Sequence, residues 1–191
     1  MRSQVKQSQR GVSLVEVLVA MVILAVGLLG LVGLQARLHV LQMESYQRAQ
    51  ALILLNDMAN RVALNRNNAA SYVTASPLGV GAACPVANAT RKERDVREWC
   101  LALQGAAETA AGGNNVGAMV GGRGCVARTD PDPGAPEEYL VTVAWQGLAP
   151  LSAPPASVAC GANLYGAAGT PCVGDLCRRT VTTLVRISDL T

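Results

Sequence analysis

From Val17 to Leu34 the chain carries no charged or strongly polar side chain. Folded as a helix at ~1.5 Å of rise per residue, that run is about long enough to cross a ~30 Å hydrocarbon layer. A single acid, Glu16, stands at its start, behind Gly11 and the basic residues Arg2, Lys6 and Arg10. A carboxylate costs about 2.5–3.5 kcal/mol at a bilayer centre and less toward the edge, so Glu16 calls for a partner. Basic residues ahead of the run predict a single span with its amino terminus inside. A secretory signal peptide would have a shorter apolar region followed by an A-x-A-like site. Gln35-Ala36-Arg37 offers no such site. An ordinary membrane anchor explains the basic flank, but neither Glu16 nor the placement of Gly11.

The segment Arg10-Gly11-Val12-Ser13-Leu14-Val15-Glu16 resembles the type IV prepilin signature: a basic residue, Gly, an apolar residue, Ser or Thr, two apolar residues and Glu. The likeness continues through Gly27-Leu28-Leu29-Gly30-Leu31, Tyr46-Gln47-Arg48-Ala49-Gln50-Ala51 and Asn56-Asp57 to Asn65-Arg66. These segments are similar to minor pilins of the PilV type, the type IV pilus modification proteins. The resemblance implies that a membrane-embedded prepilin peptidase cuts between Gly11 and Val12 and methylates the new Val12 amine. It implies that Glu16 neutralises the amino terminus of a neighbouring subunit during assembly, which supplies the missing partner. Val12 departs from the Phe or Met usual at the first mature position. Implied partners are the peptidase, other minor pilins and the major pilin, the assembly platform in the inner membrane and a pilus-tip adhesin. The implied location is the inner membrane, with the head periplasmic, and then the extracellular pilus.

Composition narrows the alternatives. The chain is 50% hydrophobic and 15% charged, with a mean hydropathy of +0.26. Its +3 charge resides in the leader, so removal of Arg2, Lys6 and Arg10 leaves basic and acidic side chains in balance. No basic nucleic-acid surface is indicated. Phe is absent and aromatics make up 3%, so base-stacking platforms are not expected either. The one histidine, His39, falls in the helix near the membrane, where it reads as a surface residue. That excludes Ser/His/Asp and Cys/His catalytic arrangements in the head, and no nucleophile motif stands out. The chain is expected to be no enzyme and to need no cofactor.

Cys84, Cys100, Cys125, Cys160, Cys172 and Cys177 all follow the span. On the oxidising side of the membrane an even count reads as disulfides. Without a C-x-x-C spacing, metal binding is not expected. Six cysteines allow about 15 pairings, and the sequence does not choose among them. Chain topology favours Cys84–Cys100 as a local clasp, then Cys125–Cys177 and Cys160–Cys172.

Helical character runs from Val12 to Leu64 without a proline, roughly 80 Å. Gly27, Gly30 and Gly33 recur along one side. They allow close helix approach in lipid, and they equally weaken the helix locally. Beyond Leu34 the pattern turns one-sided, with Leu34, Leu38, Leu41, Leu52, Leu55, Ala59 and Val62 at three- and four-residue steps. Glu44–Arg48 and Asp57–Arg61 are i,i+4 pairs on the polar side. Turn formers fill residues 65–86. Thr90-x-x-Glu93 then reads as a capping box, opening a short helix with Val96, Trp99, Leu103 and Ala107 on one side and a Glu93–Arg97 pair on the other. Trp99 is the expected core anchor.

Gly112-Gly113-Asn114-Asn115 and Gly121-Gly122-Arg123-Gly124 lack any phosphate-binding spacing and read as loop or hairpin. Cys125 to Arg128 reads as a short strand. Thr129 to Gly134 is turn material without a calcium-loop pattern. The clearest strands are Tyr139–Trp145 and Thr180–Ile187, the second with Val181, Thr183, Val185 and Ile187 on one face. Between them, residues 147–176 are rich in Ala, Gly and Pro, with Cys160, Cys172 and Cys177 as the natural ties.

The expected architecture is α+β. A long amino-terminal helix, membrane-spanning then amphipathic, packs on a small antiparallel sheet with disulfides, as the resemblance to type IV pilins implies. Expected divisions are a cleaved leader at 1–11, a membrane half-helix at 12–34, an amphipathic half at 35–66 and an α+β head at 67–191. The implied role is that of a minor pilin in pilus priming or at the tip, and so in twitching motility, adhesion or DNA uptake. A type II secretion pseudopilin shares the amino-terminal logic. A membrane-anchored binding protein that never polymerises is the third reading.

Overall fold

The computed structural model describes residues 11, 13–106, 111, 115, 117, 119–129, 136–166 and 168–188. The chain divides into two compact units, Met1–Gln42 and Met43–Thr191. Helix α1, Leu14–Leu64, starts in the first and ends in the second. In the first unit it is exposed on every side, and its most apolar window has a mean hydropathy of 2.9. Such a segment gains nothing from its own chain beyond backbone hydrogen bonds, so water is the wrong solvent for it. Among the described residues, and apart from the helix's own neighbouring backbone, nothing lies within 4 Å of a Cβ added at Gly27, Gly30 or Gly33.

The second unit holds the last turns of α1 and a 3₁₀ segment, Arg66–Tyr72. It continues with β1 (Leu78–Gly79), helix α2 (Arg91–Leu103), β2 (Arg123–Thr129), β3 (Glu137–Gln146) and β4 (Arg178–Ile187). The four strands form one antiparallel sheet in the order β1-β2-β3-β4. All three expected strands are present within longer ones. The arrangement is the α+β type IV pilin fold.

Helix α2 starts where the capping box placed it. Thr90 Oγ1 accepts from the Glu93 amide at 3.2 Å, and the Glu93 carboxylate accepts from the Thr90 amide at 2.9 Å. Those bonds hold the Glu93 carboxyl below its usual range. The expected Glu93–Arg97 ion pair is absent among the described residues, because the cap already occupies Glu93.

The core lies between α1, α2 and one face of the sheet: Ala51, Leu55, Met58 and Val62 against Trp99, Leu103, Val126, Tyr139, Val141, Val143 and Val185. Val181 and Ile187 pack beside Val185, so the expected face of β4 is the inner one. Trp99 is fully buried, and its indole N–H donates to the Leu54 carbonyl at 2.9 Å. A Cβ at Gly124 would lie 2.2 Å from that ring. Glycine is therefore required where the indole rests on the β2 backbone.

The buried face of α1 differs from the expected stripe. It runs through Gln47, Ala51, Leu55, Met58 and Val62. Leu52 is 41% exposed, and Leu34, Leu38 and Leu41 are exposed as well. At 100° per residue Leu52 sits a quarter turn away from Ala51, and it is Ala51 that faces the core.

On the other face of the sheet, Cys160 and Gly161 lie over Cys125, Thr142 and Ala144; they belong to the flap between β3 and β4, which has a short 3₁₀ turn, Val173–Asp175, while Thr182 and Leu184 stay exposed. Residues 141–145 of β3 are buried at every position, as a strand covered on both faces must be. Gly112–Asn114, Ala107 and Asp130–Gly134, where loop, helix face and turn were expected, lie outside the described residues.

Candidate processing and assembly site

The amino-terminal junction sits ahead of the helix. Gly11 is exposed and non-helical, and Val12 lies outside the described residues. The Ser13 carbonyl accepts from the Glu16 amide at 3.0 Å and the Val17 amide at 3.3 Å, which starts α1. Glu16 is thus in the first turn, where the helix dipole favours a negative charge. Its neighbours Leu14, Val15 and Val17 are exposed apolar side chains, and among the described residues Glu16 makes no ion pair. The arrangement places a carboxylate at the start of an exposed apolar helix.

In the head, the expected Asp57–Arg61 pair is present at 3.0 Å. It is one arm of a larger cluster that ties α1 to α2. The same guanidinium reaches Asp95 at 2.9 Å and Glu98 at 2.8 Å. Burial works against the Arg61 cation, but the three carboxylates together outweigh it and hold its pKa above the ordinary value. Tyr72 donates to Asp95 at 2.5 Å and accepts from the Asn65 amide at 3.0 Å. Burial, then the Asp95 bond, pushes its hydroxyl pKa up. Glu44 does not take Arg48. It accepts from the Leu148 amide at 2.8 Å and faces Arg179 at 3.6 Å, clamping the flap to α1. Long-range partners take the place of the weak exposed i,i+4 pair. The clamp had one sign in the sequence: Arg178 and Arg179 are the first basic residues after Arg128.

All six cysteines are paired: Cys84–Cys100, Cys125–Cys160 and Cys172–Cys177. The first matches expectation. The pairings Cys125–Cys177 and Cys160–Cys172 are wrong, for a reason that lies in the sheet. Cys125 faces Thr142 and Thr142 faces Thr182, five residues beyond Cys177. That offset is about 17 Å along the strands at ~3.4 Å per residue, with two strand spacings of ~4.8 Å across. A disulfide needs Cα atoms within about 7 Å. The flap instead brings Cys160 over Cys125. Arg178 holds it there, donating to the carbonyls of Val158 at 2.6 Å and Cys160 at 3.0 Å and facing Asp175 at 3.1 Å. Cys172 then closes on Cys177 around the Val173–Asp175 turn. No cluster of three or more potential metal-ligating side chains occurs among the described residues.

The site and fold together define a class: an apolar helix behind a processing signal, followed by a disulfide-bonded antiparallel head. Residues 6–32 match the sequence model of the prokaryotic N-terminal methylation motif. The match covers the junction, Glu16 and most of the apolar run, and it supports a type IV pilin-like protein. No curated protein and no solved structure matches the chain.

Proposed function

We propose that this chain is a minor pilin of the type IV pilus. On this reading the prepilin peptidase cuts after Gly11 and methylates Val12, and the mature chain spans the inner membrane through residues 12–34. The amphipathic stretch 35–66 and the head at 67–191 lie on the periplasmic side. The subunit then enters the pilus with other minor pilins and the major pilin, in priming or at the tip, and so serves twitching motility, adhesion or DNA uptake. It acts as a structural subunit and not as an enzyme. The observation that carries the reading is Glu16: a carboxylate with no ion pair among the described residues, on an exposed apolar helix and inside a match to the methylation motif. A neighbour displaced along the filament axis brings its Val12 amine to Glu16 only when subunits are in register, so the charge acts as an alignment device.

The test is Glu16→Ala in the native host. Intact mass is expected to correspond to residues 12–191 with one added methyl group for parent and variant alike. The variant's head should keep its disulfides, and its amount in sheared filaments, or the number of pili on the surface, should fall. Chains that still begin at Met1 in cells with an active peptidase sink the processing claim. Equal filament incorporation with unchanged piliation sinks the alignment role.

A further inference from the structure

The two edges of the head's sheet are finished differently. On one side β1 is only two residues long, and the chain ahead of it closes the next site on β2. There the Thr74 amide donates to the Val126 carbonyl at 2.9 Å, and Thr74 Oγ1 accepts from the Val126 amide at 3.1 Å. On the other side lies β4, ten residues long and paired with β3 without a bulge from Arg178 to Ile187. The Gly147 amide donates to the Cys177 carbonyl at 2.7 Å. Odd-numbered residues of β4 therefore turn their backbone groups toward β3, and even-numbered ones turn theirs outward. The ends of this outer row are taken: the Leu176 carbonyl accepts from the Leu151 amide, and the Ser188 carbonyl accepts from Arg66. Between them, the amides and carbonyls of Thr180, Thr182, Leu184 and Arg186 have no hydrogen-bond partner among the described residues. Thr182, Leu184 and Arg186 are exposed.

We infer that the β4 edge from Thr180 to Arg186 takes an extended, uncharged segment of a different protein as a fifth strand of the sheet. The inference concerns the head and stands whether or not the chain enters filaments. A row of unpaired backbone groups is a template for another strand, and proteins that gain nothing from such pairing shorten the edge, bulge it, cover it or set lysine or proline along it. The β1 edge is shortened and covered in this way, whereas β4 has no lysine, no proline and no bulge. Its arginines already have carboxylates: Arg178 faces Asp175, Arg179 faces Glu44 and Arg186 faces Glu138. No charge on the strand is left to call for an opposite one. The segment that fits is therefore uncharged, with β-branched residues to lie beside Val181 and Val185 on one face and Thr182 and Leu184 on the other. The β4 of a second copy is the poorer occupant. Antiparallel pairing of two identical edges turns one head end over end, so the last turns of α1 run in opposite directions in the two copies. Chains anchored in one membrane through those helices do not pair that way.

The experiment uses the full-length chain in detergent and, as probe, a synthetic peptide copying Thr180 to Ile187, free of any anchor. Laid antiparallel with its Leu184 opposite Thr182 of the head, the peptide sets no arginine against another. With the peptide in excess, amide exchange read by NMR is expected to slow roughly tenfold at Thr180, Thr182, Leu184 and Arg186, the weight of one backbone hydrogen bond. The amides of Val181, Thr183 and Val185, bonded to β3, should not change. A peptide methylated on the nitrogens of its Thr182 and Leu184 should protect nothing, while methylation at its Thr183, which faces away, should leave the effect intact. In the chain itself, Thr182→Pro removes an outward N–H alone, so the head should keep its unfolding midpoint and its disulfides yet lose the protection. Thr183→Pro takes a bond from the ladder and should lower the midpoint. The methylated peptides decide the matter even where Thr182→Pro fails to fold. No protection at the even-numbered amides, or equal protection by both methylated peptides, overturns the inference. Protection that is present without peptide and grows with chain concentration gives the edge to a second copy and overturns it as well.

Discussion

Residues 14–42 and residues 43–191 are built on opposite terms. The first stretch exposes apolar side chains on every side and has no core to close. The second buries Trp99, Tyr139 and Met58 almost completely and adds three disulfides. One draws its stability from whatever surrounds it, lipid or other helices; the other draws it from itself. A mutation should therefore register in the head's unfolding only when it falls in the second stretch. In the first it should register only where the helix meets its surroundings.

The sharpest way to break that contrast is to cut equal chemistry from both sides. Trp99→Ala removes the core anchor and the bond to Leu54, and chemical denaturation of the full chain in detergent should show the head less stable by about 3–5 kcal/mol. Leu18→Ala under the same conditions should move the head's midpoint hardly at all. A second cut concerns the flap. Replacing Cys125 and Cys160 by serine frees a loop with a sequence separation of 35 and should lower head stability by about 3–4 kcal/mol, read from the same denaturation curves. A smaller effect sharpens the picture at high pH. Tyr139 is buried and donates to Glu137 at 2.5 Å, and burial, then that carboxylate, pushes its hydroxyl from 10.0 up to about 12. A raised folded-state value means the native head holds a proton that the unfolded chain releases. That stability is whole below pH 10 and lost as pH rises toward about 12. Tyr139→Phe should flatten the alkaline fall in a pH series of melting temperatures; an unchanged fall would show that another group governs it.

Local rules were readable in the residues and geometric ones were not. The charge-free run, the Thr90–Glu93 cap, the inner face of β4 and Trp99 as anchor each depend on neighbours in sequence, and each is present. The cysteine pairing depends on sheet register, which places Cys177 far along from Cys125, and no spacing in the sequence carries that. The buried face of α1 was read correctly at Leu55, Ala59 and Val62 and misread at Leu34, Leu38, Leu41 and Leu52, because every leucine was counted as core. Ala51 and the polar Gln47 in fact occupy the contact line while Leu52 looks out. Glu44 was assigned to Arg48 because only local partners can be seen in a sequence, and its actual partners lie more than a hundred residues on. The match to the methylation motif at residues 6–32 needed no structure, because the motif is linear.

The disulfides have one property that bears on how the head is made. Each cysteine is joined to the next one along the chain, Cys84 to Cys100, Cys125 to Cys160 and Cys172 to Cys177. No bond encloses or crosses another. A head that emerges from its membrane-proximal end into an oxidising compartment presents its thiols in this same order. An oxidant that joins each thiol to the one before it still unpaired makes the native set at once. Exchange through mixed disulfides, the slow route by which wrong pairs are corrected, is then unnecessary. The head can be finished by vectorial delivery alone, without an isomerase.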